Sequence, residues 1–172
     1  MSNQAEELHD DVAAVGQQLA TVPSFGEGNA ERARPVPRVS IQVFCETQDV
    51  ADAILIAADD RRLAKTHVSI HMGGARAAVA HYQESPTPNL IVIESLAQRD
   101  QLLAELDALA ESCDSGTKVI IIGCVNDVIL YRELLNRGVS EYLVTPILPL
   151  QLMESVSNLY NDPSSDPVGK VY

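Results

Sequence analysis

From residue 39 onward, segments patterned as strands alternate with segments patterned as helices, and the alternation runs five times. The strand-like segments are VSIQVFCE (39–46), THVSIHM (66–72), NLIVIES (89–95), TKVIIIGC (117–124) and EYLVTP (141–146). Between and after them lie QDVADAILIAADDRRL (48–63), GGARAAVAHYQES (73–85), QRDQLLAELDALAESC (98–113), NDVILYRELLNRG (126–138) and LPLQLMESVSNLY (148–160), with apolar residues at helical spacing. Strict alternation with short connections predicts right-handed crossovers and a parallel sheet between helix layers. Segments 89–95 and 117–124 are apolar on both faces, as central parallel strands must be. Ser40 and Gln42, and likewise Ser69 and His71, place the first two strands in less buried positions. The pattern predicts an α/β fold with a five-stranded doubly wound sheet of order 2-1-3-4-5.

Punctuation supports these boundaries. Asp49 favours the first helix N-terminus. Gly138 suits a left-handed C-cap, and Pro149 is tolerated in the first turn of the last helix. Residues 1–38 read differently. Leu8, Val12, Val15, Leu19 and Val22 fall on one side of a short helix, either a weakly helical tail or a partner-docking element. TVPSFGEGNAERARPVPR then reads as a flexible linker, and the tail NDPSSDPVGKVY, taken as linker from residue 162 to 172, as another.

In a sheet of this order, function sits beyond the carboxyl ends of the strands. Those ends carry Cys45 and Glu46, Glu94 and Ser95, Gly123 and Cys124, and Thr145 and Pro146. An acid closing an otherwise apolar run, as Glu94 does, marks where a buried strand emerges into a cleft. The formal net charge of −12 argues against nucleic-acid binding. No apolar run is long enough to span a bilayer. The acidic N-terminus lacks the blocks of a secretory signal. Cys45, Cys113 and Cys124 lack metal-type spacing and read as reduced thiols of a cytoplasmic protein. Cys45 and Cys124 read as small apolar side chains at strand ends. His67, His71 and His81 share no ligand pattern with Cys or acids, so no metal site is expected. GG at 73–74 is a lone loop signal.

The segments PNLIVIES, the apolar strand at 119–122 and RGVSEYLVTP resemble the receiver domain of two-component response regulators, over about residues 39–161. The resemblance implies an acid pair holding Mg²⁺, a phosphoacceptor Asp, a Ser/Thr and a Lys before Pro. Carried over, those positions hold Cys45 and Glu46, Glu94, Gly123 and Thr145, while the switch aromatic Tyr142 and Pro146 are kept. Mg²⁺ requires an octahedral oxygen set, and phosphoryl transfer requires charge neutralisation. The scaffold is retained and the chemistry is not, which implies a pseudo-receiver with no catalytic residue. Glu94 is then a solvated leftover acid or a fixed charge standing in for a phosphorylated Asp.

A narrower resemblance rests on RRLAKTHVSIHMGGARAAVAHYQESPTPNLIVIES and VNDVILYRELLNRGVSEYLVTPILPL, which are similar to the N-terminal domain of the CpaE/TadZ family of Flp (tight-adherence, type IVb) pilus-assembly proteins. This implies a cytoplasmic interaction and polar-localisation module, peripheral to the inner membrane through partners of the pilus and secretion machinery. A MinD/ParA-like ATPase domain is expected after residue 172. VGKVY resembles its opening, no GxxxxGK[ST] occurs, and ATP and Mg²⁺ are expected only in that further domain. The rival readings are a phosphorylatable receiver with an atypical site and a small-ligand-binding flavodoxin-like domain, although ETQDVAD lacks the glycine of a phosphate loop. Receivers associate through the face of their fourth helix, fifth strand and fifth helix, so a homodimer contact is expected through Tyr131, Arg132, Leu135 and Tyr142. Val128, Ile129, Leu130, Leu134 and Leu135 exceed what one buried stripe needs. The alternative is that this helix buries them all in a wide groove.

Overall fold

The computed structural model describes residues 35–161. They fall within the second of two units of the chain, Met1–Arg32 and Ala33–Tyr172. The expected helix at 8–22, most of the first linker and the segment 162–172 lie outside the described residues.

The order of elements is β1 (Ser40–Cys45), α1 (Gln48–Ala58), a 3-10 turn (Arg61–Leu63), β2 (His67–Met72), α2 (Gly74–Tyr82), β3 (Leu90–Ser95), α3 (Arg99–Ala110), β4 (Lys118–Gly123), α4 (Val128–Asn136), β5 (Glu141–Val144) and α5 (Pro149–Asn161). The five strands pair in the order β2-β1-β3-β4-β5, all parallel. Leu90, Ile91, Val92 and Ile93 of β3 are all buried because helices cover both faces of the sheet. Alternate strand residues feed two cores. Val43, Val92, Ile120 and Ile122 pack against Ile54 of α1 and Val156 of α5. On the other face Phe44, Ile93 and Ile121 meet Ala78 of α2, Leu106 of α3 and Leu134 of α4.

Some expectations hold and others change. β1 lies inside the sheet, as the order 2-1-3-4-5 requires, and its half-buried polar residues are satisfied within the fold. The Tyr82 hydroxyl donates to Gln42 Oε1 at 2.6 Å, and Ser40 N–H and Oγ both donate to Asn89 Oδ1. β2 is an edge strand, as its polar residues suggested, and β5 is the other. The first helix stops at Ala58, five residues before the expected end at residue 63. Asp60 then caps the 3-10 turn by accepting from Arg62 N–H at 2.9 Å, a local bond that competes with helix continuation. Packing begins before the expected boundary at residue 38. Val36 is fully buried, and its N–H donates to the Arg62 carbonyl at 2.9 Å. Gly138 takes φ +95°, the left-handed conformation its position after α4 requires.

The amino edge of the sheet is tied to the last helix. Lys118 Nζ donates to the Leu159 carbonyl at 2.7 Å and sits 5.1 Å from the centroid of the Tyr160 ring, whose hydroxyl donates to the Asn89 carbonyl. A cation near the last carbonyls complements the negative end of the helix dipole.

Candidate functional site

At the carboxyl edge, β1 and β3 deliver their last residues side by side. Glu94 is 1% exposed. Its Oε2 accepts the Glu46 and Thr47 N–H groups, each at 2.8 Å, and its Oε1 accepts the Thr47 hydroxyl at 2.7 Å. Thr47 is also the N-cap of α1, its Oγ1 accepting from Val50 N–H at 3.4 Å. The carboxylate therefore sits at the positive end of the α1 dipole and joins β3 to the start of α1. Charge-assisted bonds of this kind are the strong ones. The expectation of a solvated leftover acid is corrected: the extra methylene of Glu over Asp reaches across to the β1–α1 turn, where two backbone N–H groups converge.

The neighbours follow from that placement. Cys45 is fully buried. Burial first, and then the adjacent Glu94 carboxylate, pushes its thiol up from 9.0 to about 12, so it stays protonated at neutral pH. The exposed Glu46 turns its carboxylate over the start of α2. A Cβ at Gly74, which takes φ +58°, would lie 2.6 Å from Glu46 Oε1, and Glu46 Oε2 accepts the Leu96 N–H at 3.2 Å. Gly74 thus makes room for an acid, whereas a Cβ at Gly73 would meet Ala77. Cys124 is exposed, contrary to its reading as an apolar strand-end side chain, with its Sγ 3.6 Å from the Leu96 carbonyl.

The β4–β5 side of the edge is built from an aromatic ring. Gly123 pairs in register with Val144, and Tyr142 leans over it. A Cβ at Gly123 would lie 2.3 Å from Tyr142 Oη and 2.7 Å from its Cε2. The ring is 6% exposed and its hydroxyl donates to the Val125 carbonyl at 2.7 Å. Thr145 follows β5 and donates its N–H to the Gly123 carbonyl at 2.8 Å. Glu94 bonds toward α1 and makes no hydrogen bond to Gly123 or Thr145.

The expected association face is corrected in part. Tyr142 is buried and cannot contribute to an interface, and Leu135 is half-buried, whereas Tyr131 and Arg132 are exposed. The alternative that α4 buries all its apolar residues is overturned. Only Leu130 and Leu134 of that helix are buried, while Val128 and Ile129 are 65% and 66% exposed. The side of α4 toward α3 is ionic: Arg99 pairs with Glu133 at 2.6 Å, and Arg137 pairs with Asp107 and Glu133. Sequence reasoning missed Thr47, although a Thr just before a helical run is a capping signal.

A five-stranded parallel sheet of this order, with its polar residues gathered at the carboxyl edge, is the architecture of a receiver-like domain. The receiver domain of a putative LuxO repressor from Vibrio parahaemolyticus shares that fold at 22% identity, with a TM-score of 0.57, over 70% of this chain and 88% of its own. The pilus assembly protein CpaE from Caulobacter crescentus is 46% identical, with a TM-score of 0.72, over 74% of this chain and 97% of its own. A putative CpaE2 pilus assembly protein from Sinorhizobium meliloti is also 46% identical, with a TM-score of 0.67, over 69% of this chain and 97% of its own. The chain belongs to the CpaE family of pilus assembly proteins. No protein-family model matches it, and no curated protein does.

Proposed function

We propose that this domain is a pseudo-receiver, an interaction and localisation module in pilus assembly that works without phosphorylation. The observation that carries the reading is the state of Glu94: both oxygens already accept hydrogen bonds from the β1–α1 turn. The carboxylate is held in place as a structural acid. The surrounding donor set does not suit Mg²⁺. Its oxygens would come from Glu46, which bonds Leu96, and from Glu94, which is engaged, while the remaining acid position is the protonated thiol of Cys45. The CpaE relatives are described as pilus assembly proteins, which supports a role in pilus assembly; Flp (type IVb) pili, a polar position and a further MinD/ParA-like ATPase domain are part of the same proposal. No helix among the described residues is long and apolar enough to cross a membrane.

Association is assigned to α4 through Val128, Ile129 and Tyr131, the exposed apolar residues of that helix. Two measurements test the reading. Incubation with acetyl phosphate and Mg²⁺ should leave the intact mass unchanged; a phosphate adduct that disappears in Glu94→Gln would overturn it. A Val128→Asp/Ile129→Asp variant should lose self-association in sedimentation while its circular dichroism stays the same. Unaltered association of that variant would remove α4 from the interface.

A further inference from the structure

Beside Glu94 a pocket of about 330 Å³ opens between the start of α1 and the turn after β5. Its polar wall is Thr47, Asp49, Glu94 and Thr145. Its apolar wall is Val50, Leu96, Pro146 and Ile147. The pocket and the buried charge at its back are separate observations, and together they specify an occupant.

Buried carboxylates are normally paired with a cation. Glu94 is held by neutral donors and forms no ion pair among the described residues. The ion pairs lie elsewhere: Arg62 serves Asp60, and Arg76, Arg99 and Arg137 serve acids of α3 and α4. Asp49 on the pocket wall is also without an ion pair among the described residues. Each carboxylate oxygen can accept about two hydrogen bonds, and Glu94 Oε1 takes one, from Thr47. Among the described residues the charge at Glu94 is met only by hydrogen bonds and the α1 dipole, and no cationic side chain lines the pocket.

An anion would be repelled here, and an apolar group would leave the field unanswered. A bare divalent cation would find too few free oxygens for a coordination shell. A long methylene stem ending in a cation matches both walls: the stem lies on Val50, Pro146 and Ile147 while the head meets Asp49, Glu94 and the Thr145 hydroxyl. The rim also favours a side chain carried on a polypeptide over a free amine. Leu96 on the pocket wall is 47% exposed and would cover the residues flanking an inserted side chain. We propose that this pocket receives a lysine or arginine side chain from a partner protein. The inference rests on the reading of the domain as an interaction module and names the partner's chemistry.

The test is an amide chemical-shift titration of the full 172-residue chain at low salt with capped tripeptides Ala-Lys-Ala, Ala-Arg-Ala and Ala-norleucine-Ala, and with n-butylammonium. The cationic tripeptides should shift Thr47, Leu96 and Thr145 saturably. Norleucine should bind at least about tenfold more weakly, the loss of one charge-assisted hydrogen bond. Asp49→Asn, at an exposed position, should weaken the lysine peptide severalfold, and Thr145→Lys should abolish its shifts by filling the pocket from within. Equal binding of lysine and norleucine peptides, no shifts at these amides, or shifts untouched by both variants would overturn the proposal. Butylammonium binding as tightly as the lysine peptide would overturn the polypeptide source. Sedimentation of Val128→Asp/Ile129→Asp is independent of this pocket, so failure of the α4 interface leaves a positive titration standing, and an empty titration leaves the α4 result standing.

Discussion

The two halves of the carboxyl edge close in opposite ways. On the β1–β3 side an added methylene carries a carboxylate into the turn, and polar groups seal the gap through Glu46, Thr47 and Glu94. On the β4–β5 side a missing side chain at Gly123 admits the Tyr142 ring, and the gap is sealed by packing and one hydrogen bond to Val125. The first half depends on electrostatics and tolerates changes of shape poorly only where an acceptor is lost. The second depends on shape and has little use for charge. The same edge is thus closed by added length at one strand end and by a missing side chain at another.

The comparison is broken most directly by Glu94→Ala. It removes the acceptor of two backbone N–H groups and leaves a cavity, so unfolding free energy should fall by about 4 kcal/mol in urea denaturation. Glu94→Gln should cost about half as much, because an amide oxygen can still accept both N–H groups while the Thr47 hydroxyl rotates to accept from the amide. Equal losses for Ala and Gln would show that charge, not acceptor geometry, holds that side.

Gly123→Thr attacks the other half. The new Cβ cannot coexist with the ring, so Tyr142 must leave Val125 and stability should fall by about 3 kcal/mol. The near-ultraviolet circular dichroism of Tyr should change with it. Tyr142→Ala in the same background should recover part of the loss, and no recovery would mean that the clash lies with the backbone.

A smaller effect concerns reactivity. A maleimide at pH 7 should modify Cys124 rapidly and leave Cys45 protected, since Cys45 is buried and its thiol is held up to about 12. Rapid labelling of Cys45 itself, distinguished from Cys113 and Cys124 by peptide mapping, would show that the β1–β3 side opens.

The smallest effect lies outside the edge and serves as its control. Hydrogen bonds from Arg62 lower the Asp60 carboxyl from 3.8 to about 2. A depressed acid stabilises the fold fully above its unfolded value and loses that contribution as pH falls through its folded one, so the window is from 3.8 down to about 2. With both side chains partly exposed, solvent screening keeps the effect below about 1 kcal/mol. The difference in acid stability between the parent and Asp60→Asn should be confined to that window.

The fold was legible because its signals are local. Unbroken apolar runs at 90–93 and 119–122, helical spacing between them and Gly138 after α4 each speak for their own segment. The site was legible as a set of positions, not as an arrangement. Nothing near Glu94 in sequence says that the N–H groups of residues 46 and 47 will meet it; β1–β3 pairing brings them together. The partnership of Gly123 and Tyr142 likewise arises from β4–β5 register. Val36 misled because it sits between two prolines in a charged stretch, where burial depends on a contact with the distant Arg62 carbonyl. The end of α1 misled for the opposite reason: the signal, Asp59-Asp60, was present, but the apolar period carried past it to Leu63.

The acid at position 94 also has a consequence in time. A phosphoryl group on a side chain decays, and its lifetime sets how long a signal persists. A carboxylate written into the polypeptide has no half-life. It is present when the chain folds and persists until the chain is degraded. If the domain acts as proposed, it keeps no record of recent events. Its output follows only how many copies are made and how close together they are held, so synthesis, turnover and local crowding become the controls.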